Sequence, residues 1–210
     1  MDIDPQTLPQ REVYKLLTAT VVPRPIAWVS TISEAGVPNL APFSFFNAVC
    51  SNPPTLLFCT SFRAADGAQK DTFNNVRATG EFVVNFVSEQ LAEAMNITAV
   101  EAPPDVNEFE RADLTATPSV KVKPPRVAES LAHFECRLYD IIPIGEGVGS
   151  GNIVIGTIVH MHFNDAIFRQ GNYIDFQTFK PVGRLTGSAY CNVQDVFHLQ
   201  RLPSELRSQD

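Results

Sequence analysis

The segment Lys70-Asp71-Thr72 places an ammonium, a carboxylate and a hydroxyl in consecutive positions. A helix starting there would add its unpaired N–H groups and the positive end of its dipole. These are the parts of an anion site, with Lys70 and the Thr72 hydroxyl completing a grip on a phosphate. Ser61 and Arg63, at the end of the preceding strand, lie within reach of the same place. The plainer alternative is that Asp71 is the N-cap of a helix and Lys70 is solvated. A second candidate is Asn39-Leu-Ala-Pro-Phe-Ser-Phe-Phe46. Period-two alternation puts Ala41, Phe43 and Phe45 on one face, apolar and suited to a core. Leu40, Pro42, Ser44 and Phe46 fall on the other. Proline cannot donate to a ladder, so Pro42 implies an edge strand whose backbone is free to meet a ligand, or simply water.

Other chemistry is thinly represented. His160 and His162 share a strand face at the spacing of a metal pair, but no third ligand is evident and an ordinary histidine pair is expected. No metal site is assigned. The sequence has no G-x-S-x-G elbow, no G-x-G-x-x-G and no Walker loop. The lone Trp28 belongs to a core or an interface.

These residues need a scaffold. Ile26–Ile32, then LAPFSFFNAV across a Gly- and Pro-containing turn, read as a hairpin, and Thr55–Ser61 as a further strand. Lys70–Gly80 reads as a short helix with Gly80 at C′, GEFVVNFV as a strand, and SEQLAEAMNIT as a helix opened by Ser88. Residues 96–125 read as a surface excursion, followed by three strands (LAHFECRLYDIIPI, NIVIGTIVHMHF, AIFRQGNYI) and a tail with no clear period. Sequential strands without strand–helix alternation point to a closed or nearly closed barrel. A chain of 210 residues, 44% hydrophobic and 19% charged, suits one globular domain, residues 1–210. A net charge of -7 argues against nucleic acid as a partner. The N-terminus lacks the apolar stretch of a secretory signal, no run is long enough to span a bilayer, and four dispersed cysteines without a C-x-x-C pair suit a cytoplasmic protein.

Taken in order, Arg24–Thr31 (RPIAWVST), Asn39–Phe46, Ser51–Pro54, Lys70–Thr72, Gly80–Asn85, Asn107–Phe109, Pro124–Glu129, Glu135-Cys136 and Gly183–Leu185 resemble the flavin reductase-like, FMN-binding split-barrel family over about Val21 to Tyr190. The resemblance implies a mainly β split barrel with a few short helices, N- and C-terminal extensions (1–20 and 191–210), and a homodimer holding FMN near the subunit interface. It further implies that Ala41, Pro42, Phe43 and Ser44 border the isoalloxazine, and that Ser61, Arg63, Lys70, Asp71 and Thr72 surround the phosphate. The implied activity is NAD(P)H-dependent reduction of flavin or another acceptor, with a monooxygenase partner; a flavoredoxin-like electron carrier is the alternative, and a pyridoxamine-phosphate oxidase-like barrel ranks third. The flavin itself carries hydride chemistry, so no catalytic residue is assigned. One departure stands out: Arg184-Leu-Thr-Gly replaces the two adjacent glycines expected in the tail.

Overall fold

The computed structural model describes residues 1–170 and 172–202. In chain order its elements are α1 (Gln10–Thr20), β1 (Ala27–Ile32), β2 (Pro38–Phe43), β3 (Phe46–Ser51), β4 (Pro54–Ser61), α2 (Asp71–Thr79), β5 (Glu81–Phe86), α3 (Ala92–Ile97) and α4 (Glu108–Arg111). There follow β6 (Ala116–Thr117), β7 (Arg126–Val127), β8 (Ala132–Ile144), β9 (Gly151–Phe163), β10 (Phe168–Arg169), β11 (Tyr173–Ile174), α5 (Phe176–Phe179), β12 (Val182–Arg184) and β13 (Tyr190–Asn192).

Seven strands form one sheet in the order β2-β1-β5-β8-β9-β4-β3, and every pairing in it is antiparallel. The two edge strands, β2 and β3, are separated in sequence by Ser44 and Phe45 alone. A sheet whose opposite edges are joined by two residues has to roll until those edges meet. The result is the split barrel that the resemblance implies, and a form of the nearly closed barrel read from the strand pattern. Its interior takes Ala27 and Val29, Phe43, Leu56 and Phe58, Phe82 and Val84, Cys136 and Val154, with Phe73 and Val76 of α2 closing one opening. Phe58 sits between Phe43 and Phe82, with ring centroids 5.1 and 5.3 Å away. Each such side chain contributes roughly 1.5–3 kcal/mol on burial.

Gly156 of β9 is what admits the Phe82 ring, because a Cβ at that position would overlap its edge and crowd the Cys136 Cβ as well. Gly156→Ala is therefore expected to destabilise the fold by roughly 1–3 kcal/mol, the usual cost of overpacking. Urea unfolding reads the change, and a wild-type midpoint would show that the ring yields freely.

A second cluster covers the outer face of the sheet: Ile26, Trp28, Leu40, Val87, Leu91, Met95, Phe109, Val127 and Val182. This explains the weak alternation of β1, in which both faces are buried. Trp28 is fully buried within its own chain and donates from Nε1 to Thr98 Oγ1 at 2.9 Å, so it belongs to the core and not to an interface.

The structure corrects several expectations. Asn39–Phe46 is not one strand; it breaks at Ser44-Phe45, and Phe45 leaves the core face and is 42% exposed. Leu40 does lie on the face opposite Ala41 and Phe43, but that face is buried there, in the outer cluster. Asp71 is the first residue of α2 and not its N-cap, a place taken by Lys70 without any side-chain cap bond. Gly80 does end that helix in the left-handed region (φ 71°), as expected for C′. AIFRQGNYI breaks up into a 3-10 turn and the small β10–β11 hairpin. The N-terminal extension contains the helix α1, and residues 203–210 of the C-terminal extension lie outside the described residues.

The largest departure is the segment 98–130, which is a strap and not a free excursion. Outward positions of the strands carry polar groups that bind its backbone. Glu135 accepts from the Val120 and Lys121 N–H groups at 2.7 and 2.6 Å, Asn85 Oδ1 from Val127 N–H at 2.9 Å, and Glu81 from Lys123 N–H at 2.9 Å. Ser30 donates to the Pro125 carbonyl, and His133 Nε2 lies 2.7 Å from the Val127 carbonyl. Strand residues that look solvent-facing by type are thus turned to holding the strap, although His133 Nδ1 is buried without a partner among the described residues and Glu81 is only half-buried.

Candidate functional site

The first turn of α2 opens onto a pocket whose walls include Asn39 and Ala41 of β2, Arg63, Lys70, Asp71 and Thr72, the 98–102 stretch, and Glu108. Asn74 N–H makes the first bond of the helix, to the Lys70 carbonyl at 3.1 Å. The N–H groups of Asp71, Thr72 and Phe73 consequently have no helical acceptor, the feature that suits helix starts to anions, and Asp71 and Thr72 line the pocket. Lys70 Nζ lies 3.2 Å from Glu101 Oε1. Arg63 holds Asp66 at 2.7 Å and stands 3.9 Å from Asp71, and this carboxylate pairing raises its pKa. Thr72 is buried, its hydroxyl accepting from Asn39 Nδ2 at 2.9 Å. Glu108 accepts from the Leu40 N–H at 3.1 Å, and burial pushes its carboxyl above the usual range.

That last bond explains Pro42. The Leu40 N–H points away from β1, and Pro42, two residues on, faces the same way; an outward position on an edge strand needs no donor. Trp28 in turn fixes Thr98, where the pocket wall begins.

Of the residues singled out from sequence, Ala41, Arg63, Lys70, Asp71 and Thr72 meet at this pocket. Ser61 is exposed at the end of β4 opposite Gly151 and is not in the pocket wall. The Phe43 ring is turned into the barrel, so only its backbone can face a ligand. Pro42 and Ser44 are half-buried, further along the same edge. Sequence reasoning missed Asn39, Glu101 and Glu108 as pocket residues. Asn39 and Glu108 lie inside motifs quoted above, so their positions were marked, whereas no sequence signal places Glu101 over Lys70.

His162 Nε2 is 2.6 Å from Glu135 Oε1, and among the described residues no group of three or more His, Cys, Asp or Glu is arranged to hold a metal.

Compared with known proteins, residues 19–181 match the model of the flavin reductase like domain. The chain belongs to that family. An uncharacterized protein of Halalkalibacterium halodurans is 42% identical over 96% of each chain. Nitrilotriacetate monooxygenase component B from Bacillus cereus has a similar structure, with a TM-score of 0.89 and 35% identity over 95% of this chain and 98% of that one. The 2-nitrobenzoate 2-nitroreductase of Pseudomonas fluorescens follows at 0.86 and 31%, over the full length of both. No helix among the described residues is long and apolar enough to cross a membrane.

For a flavin reductase-like chain the donor set at α2 fits a phosphate. The start of α2, Lys70 and Arg63 line the pocket together with the Asp71, Glu101 and Glu108 carboxylates, and the Lys70–Glu101 pair shows that Lys70 already accepts an anion. The tail also has a defined place. Arg184 pairs with Arg24 through both backbone groups (3.0 and 2.8 Å), and its guanidinium lies 4.4 Å over the Tyr190 ring. Here a stacked arginine replaces the expected glycine pair.

Proposed function

We propose that the chain is an FMN-binding oxidoreductase that reduces flavin, or an acceptor using it, with NAD(P)H. The observation that carries this reading is the α2 pocket, whose free N–H groups, Lys70 and Arg63 suit a phosphate monoester. Asp71 and Thr72 begin the helix that supplies those donors; Ser61, outside the pocket wall, would have to reach a bound phosphate from the end of β4. The edge strand from Ala41 through Pro42 and Phe43 to Ser44 would then lie along the ring. Bound there, the flavin supplies hydride transfer; the protein orients it, excludes water and sets the local field.

A reductase component serving a monooxygenase is the partner arrangement we favour, because the Bacillus cereus relative is itself a monooxygenase component B. We further propose a homodimer in a cytoplasmic setting, with residues 1–210 acting as one domain. Trp28 gives the dimer no support, but Val49, Tyr139, Ile142, Ile144 and Val148 are exposed apolar residues on and beside β3, β8 and β9, and leave a face to be covered.

Stopped-flow mixing of the FMN-loaded protein with NADH and with NADPH tests the activity. Bleaching of the flavin faster than that of free FMN is the expected result. Tight FMN binding without such reduction would make the chain a flavoredoxin-like carrier, and absence of FMN binding would remove both readings.

A further inference from the structure

Arg24 is a buried cation with neutral partners only. Its Nη1 donates to the Thr18 and Val21 carbonyls at 2.7 Å each, its Nη2 to the Leu185 carbonyl at 2.8 Å, and its Nε to Ser44 Oγ at 3.3 Å. Among the described residues no carboxylate lies within ion-pair distance of it. The nearby Arg184 is a like charge, and burial above all pulls the guanidinium below its ordinary value. A guanidinium nevertheless stays charged. Burying such a charge without a counter-charge is costly, and carbonyl staples alone would not require a cation.

Ser44 shows where that charge is directed. Its Oγ accepts from Arg24, so its own O–H must donate elsewhere, and among the described residues it has no acceptor. Ser44 is half-buried at the end of the edge strand, beside Phe45, whose ring lies 5.9 Å from the Arg24 guanidinium. It stands three positions along the chain from Ala41 in the pocket wall, about 10 Å along an extended strand. On the flavin reading, a phosphate at α2 and a ring edge at Ser44 would be the two ends of one elongated ligand.

We propose that Arg24, acting through Ser44, holds a positive field at the polar edge of the bound flavin and selectively stabilises its reduced, anionic form. The inference rests on the flavin reading of the site. Uptake of a hydride, two electrons with one proton, from a dihydronicotinamide leaves the donor as an oxidised pyridinium and adds one negative charge to the flavin. A hydroxyl polarised by a guanidinium binds that anion more strongly than it binds the neutral oxidised ring, since charge-assisted hydrogen bonds are about twice as strong as neutral ones. Arg24 is a positioning residue; Ser44 makes the contact.

The test is the midpoint potential of bound FMN, titrated with dithionite against a reference dye, in the wild type, Ser44→Ala and Ser44→Thr, together with the affinity of each for oxidised FMN. Ser44→Ala should weaken reduced FMN about tenfold relative to oxidised FMN, a fall of about 30 mV for a two-electron couple. Ser44→Thr keeps the hydroxyl and should hold the wild-type potential. Arg24→Gln should fall at least as far, and the Ser44 pair decides the question even where Arg24→Gln does not fold. An unchanged potential in Ser44→Ala, or equal loss of oxidised and reduced affinity, overturns the proposal while leaving the flavin reading intact. A wild type that binds no FMN overturns both.

Discussion

Lys70→Ala is expected to erase most of a roughly hundredfold preference for FMN over riboflavin. The two flavins differ only in the phosphate, so their affinity ratio isolates what the α2 pocket does. Hydrogen bonds to charged groups contribute roughly 1.5–3 kcal/mol each, and two net contacts give a factor of about one hundred or more. Riboflavin affinity should stay near wild type, because the ring lies along the edge strand and away from Lys70. Glu101→Gln should act in the opposite sense. In the free protein Glu101 already neutralises Lys70 at 3.2 Å, so an arriving phosphate has to displace a carboxylate. Removing that competitor should strengthen FMN binding and leave riboflavin unchanged. Fluorescence titration of both flavins against the wild type and the two variants reads all of this. Equal binding of FMN and riboflavin by the wild type would mean that the pocket serves some other anion and that Lys70-Asp71-Thr72 is only a helix start.

The parts of this site legible in the sequence are those whose cause is local. Pro42 marks an edge because its missing donor is a property of the residue itself, and Gly80 ends α2 because a left-handed residue is needed there. The break at Ser44-Phe45 was not legible. Alternation continues through it in the sequence, and only closure of the barrel between β2 and β3 forces the chain to turn. Phe45 is exposed for that reason, although its type and parity place it in the core. The burial of Leu40 was not legible either, because its face is covered only by the strap and α4, which return to it from far along the chain and bring Glu108 to the Leu40 N–H, whereas Trp28, read as core or interface, is core. Glu101 is the extreme case, since its pairing with Lys70 spans 31 positions with no pattern at either end.

The contact between β8 and the strap is also expected to set the response to acid. Stability is expected to fall as pH drops from about 6.5 towards 4, and His133→Gln should remove most of that dependence. His133 is 5% exposed; burial is the main cause that lowers its pKa from 6.5 to about 4, and the nearby Arg126 and His162 act in the same direction. The unfolded chain therefore takes up a proton at a pH where the folded one does not. The folded state is fully favoured above 6.5, loses ground through the window, and levels off below the folded value. A shift of this size corresponds to about 3 kcal/mol, a large share of a typical domain's stability. Glu135 adds a second limb at lower pH. Burial alone would raise its carboxyl, but hydrogen bonds from Val120 N–H, His162 and Lys121 N–H outweigh this and leave it lowered. Its contribution is present above the ordinary glutamate range and is lost as pH falls through the folded value. Glutamine at 133 can still donate to the Val127 carbonyl but cannot titrate, so its urea midpoint should be nearly flat from pH 6.5 to 4.5. A variant that still loses stability as steeply as wild type over that range would place the acid sensitivity outside the strap.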